Sequence, residues 1–244
     1  MIRSLIRANS NGKGVFLTIS HDEDLKPIFI KKSSSSVESI LNLKNEVKGA
    51  EWYARISKKN LIRKTTSLPD YFSVDFNYIS GKKTDYRDGY LSNLNYIEKA
   101  IKLYCEVWSE FNNEEASIHG DFSLDNIIFN DDGKFLIDWE HFSDSKKIPL
   151  GFDALNLIFE QLYFMKPVRR LNNKTIKHVE SMFQFLVEAE CLNKIYWINP
   201  LSTMHEFVIN NESIWGEQID KLPIMMFTKK EIEEIDKKIC MKKE

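Results

Sequence analysis

Apolar positions recur in two different ways along the chain. Over residues 1–80, short runs rich in β-branched and aromatic residues stand between turns, at 5–8, 15–19, 27–31 and 71–79. Each has the length of a strand. One long helix interrupts them. Residues 37–57 place Ile40, Leu41, Leu43, Val47 and Trp52 on a common face, after a polar linker of serines, Ser33–Ser36. From residue 90 onward helical spacing takes over. Residues 90–111 carry Leu94, Ile97, Ala100, Ile101, Tyr104, Cys105 and Trp108 at helical intervals, which predicts a long buried helix. Further helices are expected from Gly151, over 175–191, over 204–210 and over 231–239. The pattern predicts an α+β chain in two parts: residues 1–80 as a small antiparallel sheet with one helix, and residues 81–244 as a mainly helical region.

One stretch breaks the helical part. Ile127–Phe129 and Phe135–Ile137 flank Asn130-Asp131-Asp132-Gly133, and two apolar runs around an Asp-Gly turn predict a β-hairpin. Folding back at that turn brings Asn126 alongside Ile137 and Asp138 at the open end. Asp121 lies in the loop that leads there. Two carboxylates and an amide oxygen form a hard-oxygen set of the kind that suits Mg²⁺. Phosphoryl transfer uses such a set, with a separate aspartate to take the proton of the attacking hydroxyl.

These residues carry a family resemblance. His119-Gly120-Asp121, then Asn126, then Ile137-Asp138-Trp139-Glu140 resemble the catalytic core of the aminoglycoside phosphotransferase and choline kinase group. That group has a bilobal, protein-kinase-like fold, and its H-G-D-x-x-x-x-N loop corresponds to the H-R-D-x-x-x-x-N loop of protein kinases. The resemblance implies that Asp121 is the catalytic base, that Asn126 and Asp138 hold the metal, and that His119 braces the loop. Asp153 is implied to brace the loop from below, and a helix N-cap is its plain alternative. Glu140 is implied to serve either a second metal or the substrate.

The N-terminal part gains roles from the same resemblance. A strand, a glycine-bearing loop (Asn9–Gly14) and a second strand can lay backbone N–H groups over phosphates. Asn-Gly is also a common hairpin closure. In kinase-like folds a lysine on the third strand holds the phosphates and pairs with a helix glutamate. Side chains alternate along a strand, so only one of Lys31 and Lys32 faces the site. The family pattern favours Lys31, paired with Glu46; Glu51 is the alternative glutamate. Asn77, Tyr78 and Ile79 match the hinge that meets the adenine edge. The implied activity is transfer of a phosphoryl group from ATP, with GTP left open, to a hydroxyl of a sugar, an amino alcohol or an aminoglycoside-like molecule.

Composition narrows the alternatives. The chain has 244 residues, 43% hydrophobic and 29% charged, with a net charge of −2, so no general attraction to nucleic acid is implied. No apolar run reaches the roughly 20 residues of a membrane span. Cys105, Cys191 and Cys240 are far apart and odd in number, which points to a reducing, cytoplasmic setting. Three rival readings remain. A non-catalytic nucleotide-binding module would need a missing core residue. A protein kinase is disfavoured by Gly120 in place of the loop arginine and by the short polar segment 141–149. A metallohydrolase would use His119, Asp121 and Asp138. Asp144 and Glu160 would suit a cationic acceptor, with Tyr196-Trp197 and Trp215 as stacking candidates. Oligomeric state is not legible.

Overall fold

The N-terminal runs pair into one sheet in the computed structural model, which describes residues 2–7, 14–84, 90–111, 115–164, 172–215, 219–220 and 222–239. The strands are β1 (Ile2–Arg7), β2 (Phe16–His21), β3 (Pro27–Ser34), β4 (Ile62–Leu68) and β5 (Tyr71–Asn77), in the order β1-β2-β3-β5-β4. Every neighbouring pair is antiparallel. Most of the Asn9–Gly14 loop lies outside the described residues, as does Cys240.

The serine run is not a linker throughout. Ser33 and Ser34 continue β3, and the Ser34 hydroxyl donates to the Gly14 carbonyl at 2.8 Å. Ser36 caps helix α1 (Val37–Ser57) by accepting from the Ser39 N–H, a role for which serine is well suited. The helix ends at Lys58, whose left-handed backbone returns its N–H to the Ala54 carbonyl. Its buried face is Leu43, Glu46, Gly49, Ala50, Trp52 and Tyr53, and Leu41 is exposed. Leu43 packs with Phe72 and Val74 to form the core between α1 and the sheet.

By contacts the chain separates into two compact units. The first is Met1–Lys82 with His119–Asp121 and Ile128–Ser143; the second is Lys83–Ile118 with Phe122–Ile127 and Asp144–Glu244. The predicted hairpin forms as β7 (Ile127–Asn130) and β8 (Gly133–Leu136). Grouping by sequence placed it with the helices, whereas residues 128–143 group by contacts with residues 1–82. Lys82 and Phe129 exchange backbone hydrogen bonds at 2.8 and 3.0 Å. Beyond the hairpin, Trp139 and Phe142 lie against Trp52 at ring distances of 5.6 Å. Gly49 makes that approach possible, since a Cβ there would sit 2.7 Å from the Cβ atoms of Trp139 and Phe142.

The second unit is built on α2 (Tyr90–Trp108), α3 (Phe152–Phe164), α4 (Asn173–Glu188), α5 (Pro200–Asn210), the short α6 (Glu212–Trp215) and α7 (Lys229–Ile239). Tyr104 stacks on Trp108 with ring centroids 4.6 Å apart, and Phe122 meets both edge-on. The polar segment after Glu140 forms a strand that the sequence did not signal. β9 (Ser143–Pro149) pairs with β6 (Glu115–Ile118). No helix among the described residues is long and apolar enough to cross a membrane.

Candidate active site

Within the first unit, register decides which lysine faces inward. Lys31 stands opposite Asp75 and Lys32 opposite Val74. Val74 belongs to the core under α1, so alternation sends Lys32 to the helix side and Lys31 to the other face. The expected pairing is corrected accordingly. Lys32 Nζ lies 2.7 Å from Glu46 Oε1 and 2.7 Å from Asp138 Oδ1, while among the described residues Lys31 reaches Asp75, at 3.9 Å. Glu46 is the helix glutamate that meets the lysine, and Glu51 is exposed. A cavity of about 750 Å³ opens beside this triad. Lys32, Glu46, Asp138 and Glu140 line it together with Gly14 and the first turns of α1.

Beyond β8 the chain makes a tight excursion that holds Asp138 in place. Asp138 has a left-handed backbone, φ 64°, a conformation that aspartate tolerates better than most residues. The carbonyls around it are engaged in turn. Leu136 accepts from the Trp139 indole at 3.1 Å, Ile137 from His119 Nε2 at 3.0 Å, and Trp139 from the Phe142 N–H at 3.1 Å. Asn45 Nδ2 donates to both Glu140 O and Phe142 O, at 2.8 and 2.9 Å. This residue of α1 was not singled out from the sequence. An exposed-looking helix asparagine carries no signal until the loop it holds is placed.

His119 is fully buried, and its ring lies tilted against Trp139 with centroids 4.4 Å apart. Its Nδ1 accepts the Asp121 N–H at 3.3 Å, so the ring proton sits on Nε2 and is donated to Ile137 O. One neutral imidazole thus ties the peptide of Asp121 to the peptide that precedes Asp138. With both ring nitrogens engaged, His119 is not available as a metal ligand, which counts against the metallohydrolase reading. Gly120 is required between them. Its φ is +84°, and a Cβ would lie 2.4 Å from the His141 carbonyl oxygen.

Burial sets the charge state of these groups. It lowers His119 to about 4, although its hydrogen bond to Ile137 O opposes the shift. It raises Glu46 to about 7 against the pull of Lys32. For Lys32, burial works against the charge, but Glu46 and Asp138 outweigh it and hold the ammonium above the ordinary lysine range. The Lys32 shift marks the ion pair as intact near neutrality, and Glu46 is its weaker member. The first two shifts have opposite linkage. His119, depressed from 6.5, contributes stability above that pH that is lost as pH falls toward 4. Glu46, raised from 4.5, contributes stability below that pH that is lost as pH rises through 7. The two slopes oppose one another between pH 4.5 and 6.5. His119→Asn should therefore lose stability relative to wild type as pH rises through this window. Glu46→Gln should gain it, each by on the order of 3 kcal/mol. Urea midpoints that track wild type at every pH would refute both shifts.

The other candidates sit as follows. Asn126 is buried at the end of a 3₁₀ turn, Leu124–Asn126, in the second unit. In that turn Asp125 accepts from the Ser123 hydroxyl at 2.6 Å. Asp153 is 1% exposed in the first turn of α3. After burial, its charge is the main influence keeping the Tyr104 and Tyr196 hydroxyls protonated. Of the hinge candidates, the Asn77 N–H is used by Leu61 O and the Tyr78 N–H by Ile28 O. Ile79 follows them in the same connection. Tyr196 is core, Trp197 is 37% exposed, and Trp215 stacks 4.8 Å from Phe152.

The donors suit a hard cation. Asp138 and Glu140 line one cavity, and their side chains are 38% and 45% exposed. Among the described residues no group of three His, Cys, Asp or Glu side chains is placed to hold a metal. An ion here would rely on one or two carboxylates plus water and phosphate oxygens, the usual way of holding Mg²⁺.

Residues 81–164 match the phosphotransferase enzyme family (APH). The matched span contains His119, Asp121, Asn126, Asp138, Glu140 and Asp153. Over those residues the resemblance read from the loop is shown. A comparison with curated proteins finds no match.

Proposed function

We propose that the protein is a kinase of small molecules with a protein-kinase-like fold, moving the γ-phosphoryl group of ATP to an alcohol. GTP remains an alternative donor. The observation that carries this reading is the Lys32–Glu46–Asp138 triad beside its cavity, in a chain whose catalytic-loop segment matches a phosphotransferase family. In this reading Lys32 orients the nucleotide phosphates and Glu46 holds Lys32. Asp138 and Asn126 are the metal ligands, and Glu140 is a further oxygen donor for metal or substrate. Mg²⁺, when bound, supplies charge neutralisation at the phosphates. Asp121 accepts the hydroxyl proton of the acceptor as its oxygen bonds to phosphorus and ADP leaves. His119 keeps Asp121 and Asp138 in register, and Asp153 supports the loop. The backbone around Asn77–Ile79 receives the adenine edge. Ile79 is the favoured N–H donor, since its two predecessors have theirs engaged. Trp215 on Phe152 and Glu160 would favour an acceptor that carries a cationic amine.

The test is ADP release with Mg²⁺ across aminoglycosides, choline, ethanolamine and sugars. At least one acceptor should raise the rate well above the blank. No release with any of them, together with no Mg²⁺-dependent nucleotide binding, refutes the reading. Label transferred to protein alone would reassign the acceptor class.

A further inference from the structure

The residue assigned to phosphate and the residue assigned to metal are bonded to each other. Lys32 Nζ is shared between Glu46 Oε1 and Asp138 Oδ1, each at 2.7 Å. The ammonium keeps one N–H and Asp138 one oxygen, but a divalent ion on that carboxylate would repel the ammonium beside it, so one of these bonds has to weaken. The two are not equivalent. Glu46 is 3% exposed and fixed in the core of α1, whereas the Asp138 side chain is 38% exposed at the cavity. A buried carboxylate that loses a charged partner is penalised heavily, and a partly hydrated one much less. The Asp138 bond is the one that yields.

Charge points the same way. Among the described residues, Lys32 is the lysine that lines the cavity, with the carboxylates of Glu38, Glu46, Asp138 and Glu140. The neighbouring Lys31 is turned to Asp75. Among those described residues a polyphosphate that arrives without a cation meets more carboxylates than ammonium groups, and the Lys32 ammonium is already bonded to two of them.

We infer that Lys32 is a stand-in cation for Asp138: it neutralises this carboxylate when no metal is there, and an arriving divalent ion transfers Lys32 to the nucleotide phosphates. The inference rests on the kinase reading. It adds that metal and nucleotide binding are coupled through one lysine, so that nucleotide alone binds poorly because Lys32 is occupied.

An unusual outcome follows for a metal-ligand variant. Asp138→Asn should lose the effect of Mg²⁺ on nucleotide affinity. In EDTA it should nevertheless bind the non-hydrolysable ATP analogue AMP-PNP more tightly than wild type. The expected gain is roughly tenfold, the worth of one charge-assisted hydrogen bond. Titration calorimetry on the full chain reads both effects. Lys32→Met separates the transfer from simple removal of charge. The gain from Asp138→Asn should vanish in the Lys32→Met background, and a gain of the same size there would overturn the inference. So would an Asp138→Asn chain that binds AMP-PNP in EDTA no better than wild type. If wild type binds no AMP-PNP even with Mg²⁺, the kinase reading itself falls, and this inference with it. A second measurement needs no variant. Acetylation of Lys32, followed by peptide mass spectrometry with Lys31 as reference, should speed up when Mg²⁺ is added and slow again with AMP-PNP. Lys32 labelling indifferent to Mg²⁺ contradicts the transfer.

Discussion

Asp121→Asn should lower kcat by about 10²–10⁴-fold, the usual worth of a positioned general base, with nucleotide affinity left within about twofold. Asparagine keeps the shape of the side chain and the backbone N–H that His119 Nδ1 accepts. The proton acceptor is lost, and His119 does not replace it. His119 has both nitrogens bonded, and burial holds it neutral, with a pKa lowered to about 4. ADP release at saturating acceptor, set beside an AMP-PNP titration, reads the two quantities separately. Turnover equal to wild type would remove Asp121 from the proposed mechanism.

The second large effect distinguishes two adjacent lysines. Lys32→Met removes the ammonium that Glu46 and Asp138 share, and Lys31→Met removes a 3.9 Å pair with Asp75. Losing one partner of a fully buried pair costs about 3–5 kcal/mol. Lys32 and Asp138 keep some contact with water, so about 1–3 kcal/mol is expected here. The loss should depend on pH. Burial already raises Glu46 to about 7, and without the ammonium it rises further. Such a group stabilises the folded chain at low pH and loses that contribution as pH rises through its folded value. The gap between Lys32→Met and wild type should therefore be wider at pH 8 than at pH 6. Nucleotide affinity with Mg²⁺ should fall for Lys32→Met and hardly change for Lys31→Met. Urea melts at the two pH values and a calorimetric titration supply the test. The reverse ranking of the two lysines would undo the assignment made from the register.

What could be read from the sequence was set by local rules. The α1 helix begins and ends where its periodicity places it, and the hairpin turns at Asp131-Asp132 between its apolar runs. Both follow from neighbours in the chain. The choice between Lys31 and Lys32 does not. It depends on which face of β3 meets α1, which is fixed by pairing with β5 far along the sequence. Val74 held the clue, since the lysine opposite the most buried strand residue must share its side of the sheet. β6 and β9 were missed because Ser143-Asp144-Ser145 has no apolar alternation, and the pairing strand supplies what the sequence lacks. Asn45 was missed for a related reason: its two acceptors lie almost a hundred residues away.

The pressed contact at Gly120 has a consequence for control. Protein kinases carry an arginine at this place in the loop, and a phosphate added elsewhere in the chain can dock on such an arginine. Here the His141 carbonyl fills the space where any side chain would start, so an arginine cannot stand at this place without displacing it. In the kinase we propose, this loop offers no arginine at that place for such a phosphate, and its throughput answers to the supply of donor, acceptor and cation.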